Sequence, residues 1–161
     1  MYSITVVAVG RLKDKFYEDA AAEYLKRLQA YAKVSVVEIR AVELPSESPG
    51  EAEIAKALEK EGEAILQKIP AGASVAALCV EGKLFSSEDL AAYMTACGSA
   101  GKSQLVFVIG GSYGLSDAVK KRADVRLSMS RMTFPHRLAR VMLLEQVYRG
   151  FKIARGEKYH K

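Results

Sequence analysis

Short apolar runs alternate with amphipathic segments along the whole chain. The runs are rich in β-branched residues and predict strands at residues 4–10, 34–39, 74–80, 104–109 and 125–129. The amphipathic segments predict helices at residues 14–31, 51–69, 86–97, 116–122 and 135–153. Nearly continuous apolar strands that alternate with helices are typical of parallel sheets. We therefore expect an α/β fold with a mostly parallel sheet and helices on both faces.

The chain has 161 residues, half of them hydrophobic, with no internal repeat and no long linker. This length and composition predict a single domain spanning residues 1–161. No stretch approaches the roughly 18 apolar residues of a membrane helix. The N-terminal residues also lack the charged and apolar regions of a signal peptide, so we expect a cytoplasmic protein.

The cysteine and histidine content gives no sign of a metal site. Cys79 and Cys97 form no CxxC motif, and the spacing of His136 and His160 matches no set of metal ligands. We expect two reduced thiols and no metal ion.

Basic residues are concentrated in the C-terminal part of the chain. Up to Leu115 there are 12 Lys or Arg and 15 Asp or Glu, a net charge of −3. From Ser116 onward there are 12 basic and 4 acidic residues, a net charge of +8. Such an asymmetry indicates a polyanionic partner such as nucleic acid, or else a solubilising face.

Two predicted strands end in loops that are each followed by a helix. Residues 110–115 (Gly-Gly-Ser-Tyr-Gly-Leu) follow the strand at 104–109, and residues 130–136 (Ser-Arg-Met-Thr-Phe-Pro-His) follow the strand at 125–129. In open α/β sheets, ligands bind outside the carboxyl ends of the strands. The two loops therefore predict a pocket for a small molecule.

The chemistry of these loops favours binding over catalysis. The glycines match neither a Walker A motif nor a GxGxxG fingerprint; they fit a close approach of backbone to ligand, or a tight turn without one. Ser130 and Thr133 have no evident base nearby, whereas main-chain groups with Met132 and Phe134 suit the edge and face of an adenine. His136 fits a capping or packing role at the start of the last helix.

The last predicted helix is apolar around more than half of its circumference. This pattern predicts a homodimer through the helix, or alternatively a helix enclosed by other helices of the same chain. A polar tail ending in Tyr159, His160 and Lys161 follows the helix. An imidazole exchanges protons near neutral pH, which suits His160 to proton abstraction.

Several segments together resemble the bacterial ribosomal RNA large-subunit methyltransferase H family over essentially the whole chain. They are residues 7–13 (VAVGRLK), 107–115 (FVIGGSYGL), 132–136 (MTFPH), 145–149 (EQVYR) and 155–160 (RGEKYH). The resemblance implies the SPOUT fold, in which the C-terminal chain threads a deep trefoil knot, and a homodimer. It also implies S-adenosylmethionine as the methyl donor. The implied acceptor is N3 of a pseudouridine in 23S ribosomal RNA, on assembled ribosomes.

The resemblance also assigns roles to individual residues. It places the cofactor contacts on Leu78, Gly110, Met129, Ser130, Arg131, Met132, Thr133 and Phe134. It aligns Tyr159 and His160 with the family's C-terminal pair near the methyl donor. We expect His160 to accept the N3 proton or relay it, and Tyr159 to pack against the uracil. The candidates for RNA contacts are Arg131, Arg137, Arg140 and Arg155.

Two other functions compete with this one. A dinucleotide-dependent oxidoreductase requires a glycine fingerprint after the first strand, and Gly10-Arg11-Leu12-Lys13 lacks it. A non-catalytic RNA-binding α/β module explains the basic C-terminal part but not the paired strand-end loops. It stays open as the alternative.

Overall fold

The computed structural model describes all residues from Met1 to Lys161 and contains five strands and five helices in the predicted order. The strands are β1 (Tyr2–Val9), β2 (Ala32–Ile39), β3 (Ser74–Leu84), β4 (Gln104–Ile109) and β5 (Val125–Ser128). The helices are α1 (Lys15–Leu28), α2 (Glu51–Gln67), α3 (Ser87–Ser99), α4 (Asp117–Arg122) and α5 (His136–Ala154). None of the helices is long and apolar enough to cross a membrane.

All five strands form one sheet in the order β2-β1-β4-β3-β5, and every neighbouring pair is parallel. The predicted parallel sheet is therefore confirmed. Because parallel strands all end at the same edge, the loops after β3, β4 and β5 leave the sheet side by side. The two loops singled out in the sequence thus meet at one edge.

Helices cover both faces of the sheet, as predicted. Successive strand residues point to opposite faces, so Val6 and Phe107 enter one buried cluster and Val7 and Val108 enter the other. The first cluster includes residues of α1, α3 and α5, and the second includes residues of α2 and α4. Phe107 at the centre of β4 is fully buried. The sheet is therefore packed on both sides, which explains its nearly continuous apolar strands.

Strand β3 is longer than predicted because it resumes pairing with β5 after a polar interruption. Leu127 of β5 is in register with Leu78 and again with Lys83. Gly82 permits this approach, since a Cβ atom there would lie 2.6 Å from the carbonyl oxygen of Arg126. The C-terminal trefoil knot stays a prediction, and the double approach of β3 to the end of β5 is consistent with it.

Helix α5 is buried by its own chain to a greater extent than a helix that only forms a dimer interface would be. Every residue from His136 to Ile153 is buried or half-buried, and the helix shares one core cluster with α1 and α3. The same-chain alternative therefore accounts for much of its apolar surface. A groove remains open beside it, with a volume of about 560 Å³ and a mainly apolar lining that includes Tyr24, Phe85, Leu90, Val141 and Met142.

Arg140 ties α5 to the sheet. Its side chain is only 4% exposed, and its guanidinium donates to Glu38 Oε2 at 2.7 Å and to the Gly10 carbonyl at 2.9 Å. These partners lie on β2 and directly after β1. The side chain is therefore buried and already paired, and the RNA contact that the sequence predicts for Arg140 would require these bonds to break.

We expect Arg140→Ala to lower the free energy of unfolding by about 2–3 kcal/mol, because two charge-assisted hydrogen bonds are lost while Glu38 keeps partial access to solvent. Arg131→Ala is the matched control: this exposed arginine has no ion pair, so its removal should change stability by less than about 0.5 kcal/mol. Urea denaturation measures both values. Equal stability of the two variants would contradict the structural role of Arg140.

Candidate functional site

The carboxyl ends of β4 and β5 and the middle of β3 enclose a cleft of about 670 Å³. One wall comes from β3 and the residues around Leu78, and a second comes from the glycine turn after β4. The segment between β5 and α5 supplies the third wall. The lining comprises residues 78–80, 109–112, 114, 127, 129–130, 132–136 and 139.

The glycine turn has a conformation that other residues would disturb. Gly111 and Gly114 pair across the turn, with the Gly114 N–H donating to the Gly111 carbonyl at 3.1 Å. Gly114 has a φ of +86°, the left-handed region that favours glycine. At Gly110, a Cβ atom would collide with the Gly114 carbonyl. The turn is therefore both tight and close to the cleft.

The segment after β5 is held by serine side chains and presents free main-chain groups. The buried Ser128 hydroxyl donates to the Ser130 carbonyl at 2.9 Å, and the Met132 N–H donates to Ser130 Oγ at 3.0 Å. The N–H groups of Met129, Thr133 and Phe134 have no hydrogen-bond partner within the chain. This segment can therefore donate hydrogen bonds to a ligand in the cleft.

The cleft contains no acidic or basic side chain apart from His136, which is half-buried. Burial lowers the pKa of the His136 imidazole, and the nearby charges of Arg137 and Arg140 lower it further. The imidazole is therefore neutral at physiological pH. The cleft is consequently an uncharged site with apolar walls and main-chain donors.

The cleft brings together all of the predicted cofactor-contacting residues except Arg131. Leu78, Gly110, Met129, Ser130, Met132, Thr133 and Phe134 line it, whereas the side chain of Arg131 points to the surface. Cys79, Val80, Leu127 and Ala139 also line the cleft, although the sequence does not predict them as site residues. Cys79 and Val80 lie on β3, Leu127 lies on β5 and Ala139 lies on α5. These elements were predicted from the sequence, but only their arrangement in the fold shows that the four residues face the same cavity.

Tyr159 and His160 do not line this cleft in the single chain. The Tyr159 hydroxyl donates to Glu145 Oε1 at 3.1 Å, and the guanidinium of Arg149 lies 4.7 Å from the centre of the Tyr159 ring. Burial and the Glu145 carboxylate raise the pKa of Tyr159. The tail is therefore docked on α5, beside the apolar groove that Glu145 also lines.

Both ring nitrogens of His160 are engaged. Nδ1 lies 3.2 Å from an Arg149 nitrogen and Nε2 lies 2.8 Å from Glu88 Oε1. Since arginine can only donate, these partners assign the proton to Nε2 and leave Nδ1 as an acceptor. The side chain of Glu88 is 62% exposed, so this contact is weakly held. His160 must leave these partners before it can take a proton from a substrate.

The remaining predicted RNA-contacting arginines lie at the surface or close to it. Arg131 is exposed, and Arg137 approaches Asp14 at 3.8 Å. Arg155 is also exposed and lies over the ring of Tyr31, 4.6 Å from its centre. All three can present a positive charge to a phosphate, unlike Arg140.

Comparison with known proteins agrees with this geometry. A family model described as a predicted SPOUT methyltransferase matches residues 2–160. The chain is 55% identical to the ribosomal RNA large subunit methyltransferase H of Pelotomaculum thermopropionicum over 160 residues, which is 99% of each chain. It is 52% identical to the protein of the same name from Bacillus pumilus over 159 residues, again 99% of each chain.

A solved structure shows a related fold. A probable methylase family protein from Haemophilus influenzae superimposes with a TM-score of 0.54 at 14% identity, covering 98% of this chain and 70% of that chain. The fold, the strand-end cleft and the sequence relatives lead to one conclusion. The chain belongs to the SPOUT methyltransferases and, among them, to the family of ribosomal RNA large subunit methyltransferase H.

Proposed function

We propose that this protein transfers a methyl group from S-adenosylmethionine to N3 of a pseudouridine in 23S ribosomal RNA on assembled ribosomes, and that it works in the cytoplasm. The observation that carries the proposal is the uncharged cleft formed by the glycine turn and the segment after β5. Family membership supports an RNA substrate of the large ribosomal subunit.

The cleft fits S-adenosylmethionine in its chemistry. The free N–H groups of Met129, Thr133 and Phe134 suit the acceptor edge of an adenine, and the apolar walls suit its face. When bound, the sulfonium group supplies a methyl group that is already a good electrophile. A neutral His136 does not repel that positive charge. The predicted contacts of Leu78 and Gly110 would complete the binding site for S-adenosylmethionine.

The contribution of the chain is then mainly to position two reactants. Rigid main-chain contacts hold the donor, and the arginines 131, 137 and 155 would hold the RNA phosphates and orient the target base. Alignment of reacting groups can supply up to about 7–11 kcal/mol of a barrier. N3 lies on the pairing edge of the base, so the target must be unpaired or flipped out to reach the cleft.

We propose His160 as the acceptor of the N3 proton or its relay, with Tyr159 packing against the uracil. In the single chain both residues are docked on α5, away from the cleft. They would act after the weak contact of His160 with Glu88 is released, or at the cleft of a second subunit.

A homodimer through α5 completes this proposal. The apolar groove beside α5 shares Leu127, Met129 and Phe134 with the methyl-donor cleft, and it also includes Glu145, which holds the tail. A second copy of the chain in the groove would therefore cover the apolar surface that lies between the methyl-donor cleft and the docked C-terminal tail. The non-catalytic alternative would require the protein to bind RNA without transferring a methyl group.

We expect Gly110→Ala to weaken binding of S-adenosylmethionine at least about tenfold, because the new methyl group displaces the Gly114 carbonyl and shifts the turn. Gly72→Ala is the matched control, since a Cβ atom there would meet nothing within 4 Å. Isothermal titration calorimetry measures both affinities. Equal affinities would place the donor away from the glycine turn.

We expect His160→Ala to lower kcat by about 100-fold or more, because a positioned base contributes on this scale, while the dissociation constant of S-adenosylmethionine stays nearly constant. The assay follows methyl transfer to ribosomes from cells that lack the modification, with mass mapping of the 23S ribosomal RNA. Lys158→Ala, in the same tail, is the control. Activity that survives the loss of His160 would rule it out as the base, and no methylation by the wild type would overturn the proposed function.

We expect Met142→Glu to raise the dimer dissociation constant at least about a hundredfold, because a carboxylate would be buried in the apolar groove without a partner. Phe16→Glu is the control: Phe16 is 65% exposed and does not line the groove. Sedimentation velocity reports the assembly state of each variant. A Met142→Glu variant that remains fully dimeric would show that the dimer interface lies outside this groove.

A further inference from the structure

A second cavity, of about 270 Å³, borders the methyl-donor cleft beyond the ends of β1 and β2. The two cavities share Gly111, Ser112 and His136 as a common wall. Apart from Arg137, the proposed methyl transfer uses none of the residues that are particular to the second cavity. Among them are Arg11, Lys13, Glu61 and Tyr113.

Glu61 is an unusual residue for the wall of this cavity. The residue is only 8% exposed, yet its carboxyl group accepts just one hydrogen bond, from the Val42 N–H to Oε2 at 2.9 Å. Burial raises the pKa of this carboxyl, and the bond from Val42 partly offsets the rise. No lysine or arginine lies within ion-pair distance of it. Buried carboxyl groups normally have more partners than this.

The second oxygen of Glu61 is available to a ligand in the cavity that this residue lines. Oε1 has no hydrogen bond in the chain, and it is not among the fully enclosed atoms that lack a partner. The atom therefore retains contact with open space, and Glu61 lines this cavity. A ligand in the cavity would meet an acceptor with unused capacity.

The rim of the cavity is positively charged. Arg11 and Lys13 are exposed, and neither forms an ion pair or a hydrogen bond with another side chain. Arg137 joins them on the rim, with Asp14 at the long distance of 3.8 Å. Tyr113, which is 48% exposed, adds an aromatic ring. Cations at the mouth, a ring on one side and an acceptor at depth form a combination that suits a nucleotide.

We infer that this cavity binds a second nucleotide of the RNA substrate, next to the one that is methylated. Arg11 and Lys13 hold its phosphate, Tyr113 stacks on its base, and Glu61 Oε1 accepts a hydrogen bond from an N–H group of that base. The wall shared with the methyl-donor cleft places this nucleotide beside the reacting one. The inference rests on the proposed function, because it assumes that RNA is the substrate.

Glu61→Gln separates recognition from structure. The amide oxygen of glutamine can still accept the bond from Val42, while its NH₂ group replaces the acceptor that is available to a ligand. A purely structural glutamate would therefore tolerate the change. A glutamate that accepts a hydrogen bond from a base would not tolerate it, because the NH₂ group of glutamine and the N–H group of the base are both donors.

The phosphate contact is tested by the double variant Arg11→Ala/Lys13→Ala. Its matched control is Lys33→Ala/Lys102→Ala, which removes the same charge from two exposed lysines near the opposite, amino edge of the sheet. Comparison of the two double variants separates a local contact from the loss of overall positive charge.

Steady-state methylation of ribosomes that lack the modification is measured for each variant, together with the melting temperature and the dissociation constant of S-adenosylmethionine. We expect Glu61→Gln and the Arg11/Lys13 variant each to raise KM for ribosomes about tenfold. Their affinity for S-adenosylmethionine should stay within about twofold of wild type, and the control should change KM by less than about threefold.

An unchanged KM for Glu61→Gln, with or without a lower melting temperature, would overturn the assignment of Glu61 to base recognition. A KM for the Arg11/Lys13 variant equal to that of the control would overturn the phosphate contact. If the wild type binds S-adenosylmethionine but methylates no ribosome, the proposed function fails instead. Ribosome-binding affinities of the same variants then decide whether the cavity contacts RNA.

Discussion

The parallel hydrogen bonding of β3 between β4 and β5 is the constraint on which the site depends. It places the carboxyl ends of three strands at one edge, although the glycine turn and the segment after β5 belong to different parts of the chain. Buried side chains of β4 pack this centre of the sheet on both faces, with Phe107 on one face and Val108 on the other. A shift of β5 against β3 would move one wall of the cleft away from the other.

Two close approaches of backbone to backbone set the shape of the cleft. Gly82 lets β3 pass beside Arg126, and Gly110 lets the turn fold back on Gly114. Both contacts involve main-chain atoms, which cannot move aside as a flexible side chain can. The neighbouring N–H groups of Met129, Thr133 and Phe134 are held in the same way, by a chain segment fixed through Ser128 and Ser130. Such a site recognises its ligand with the backbone and uses side chains mainly as walls.

The sequence was sufficient to predict the order of the elements, the parallel sheet and the two strand-end loops, because apolar periodicity and glycine positions are local signals. It was not sufficient where burial depends on distant partners. Arg140 looked like one more surface arginine, yet its partner Glu38 lies 102 residues away. Glu61 belongs to a helix whose other acidic residues are exposed, so the pattern of charged and apolar residues along α2 does not predict its burial. The extension of β3 was missed because Glu81, Gly82 and Lys83 end the apolar run.

The distribution of charge in space differs from its distribution along the chain. The basic excess begins at Ser116, but Arg11 and Lys13, from the acidic N-terminal part, lie at the same edge as Arg137. These cations surround a cavity beside a cleft that carries no net charge when His136 is neutral. A cationic methyl donor and a polyanionic RNA place opposite demands on one protein surface. An uncharged cleft beside a positive rim meets both demands, because each ligand is in contact with the part of the edge that suits its own charge.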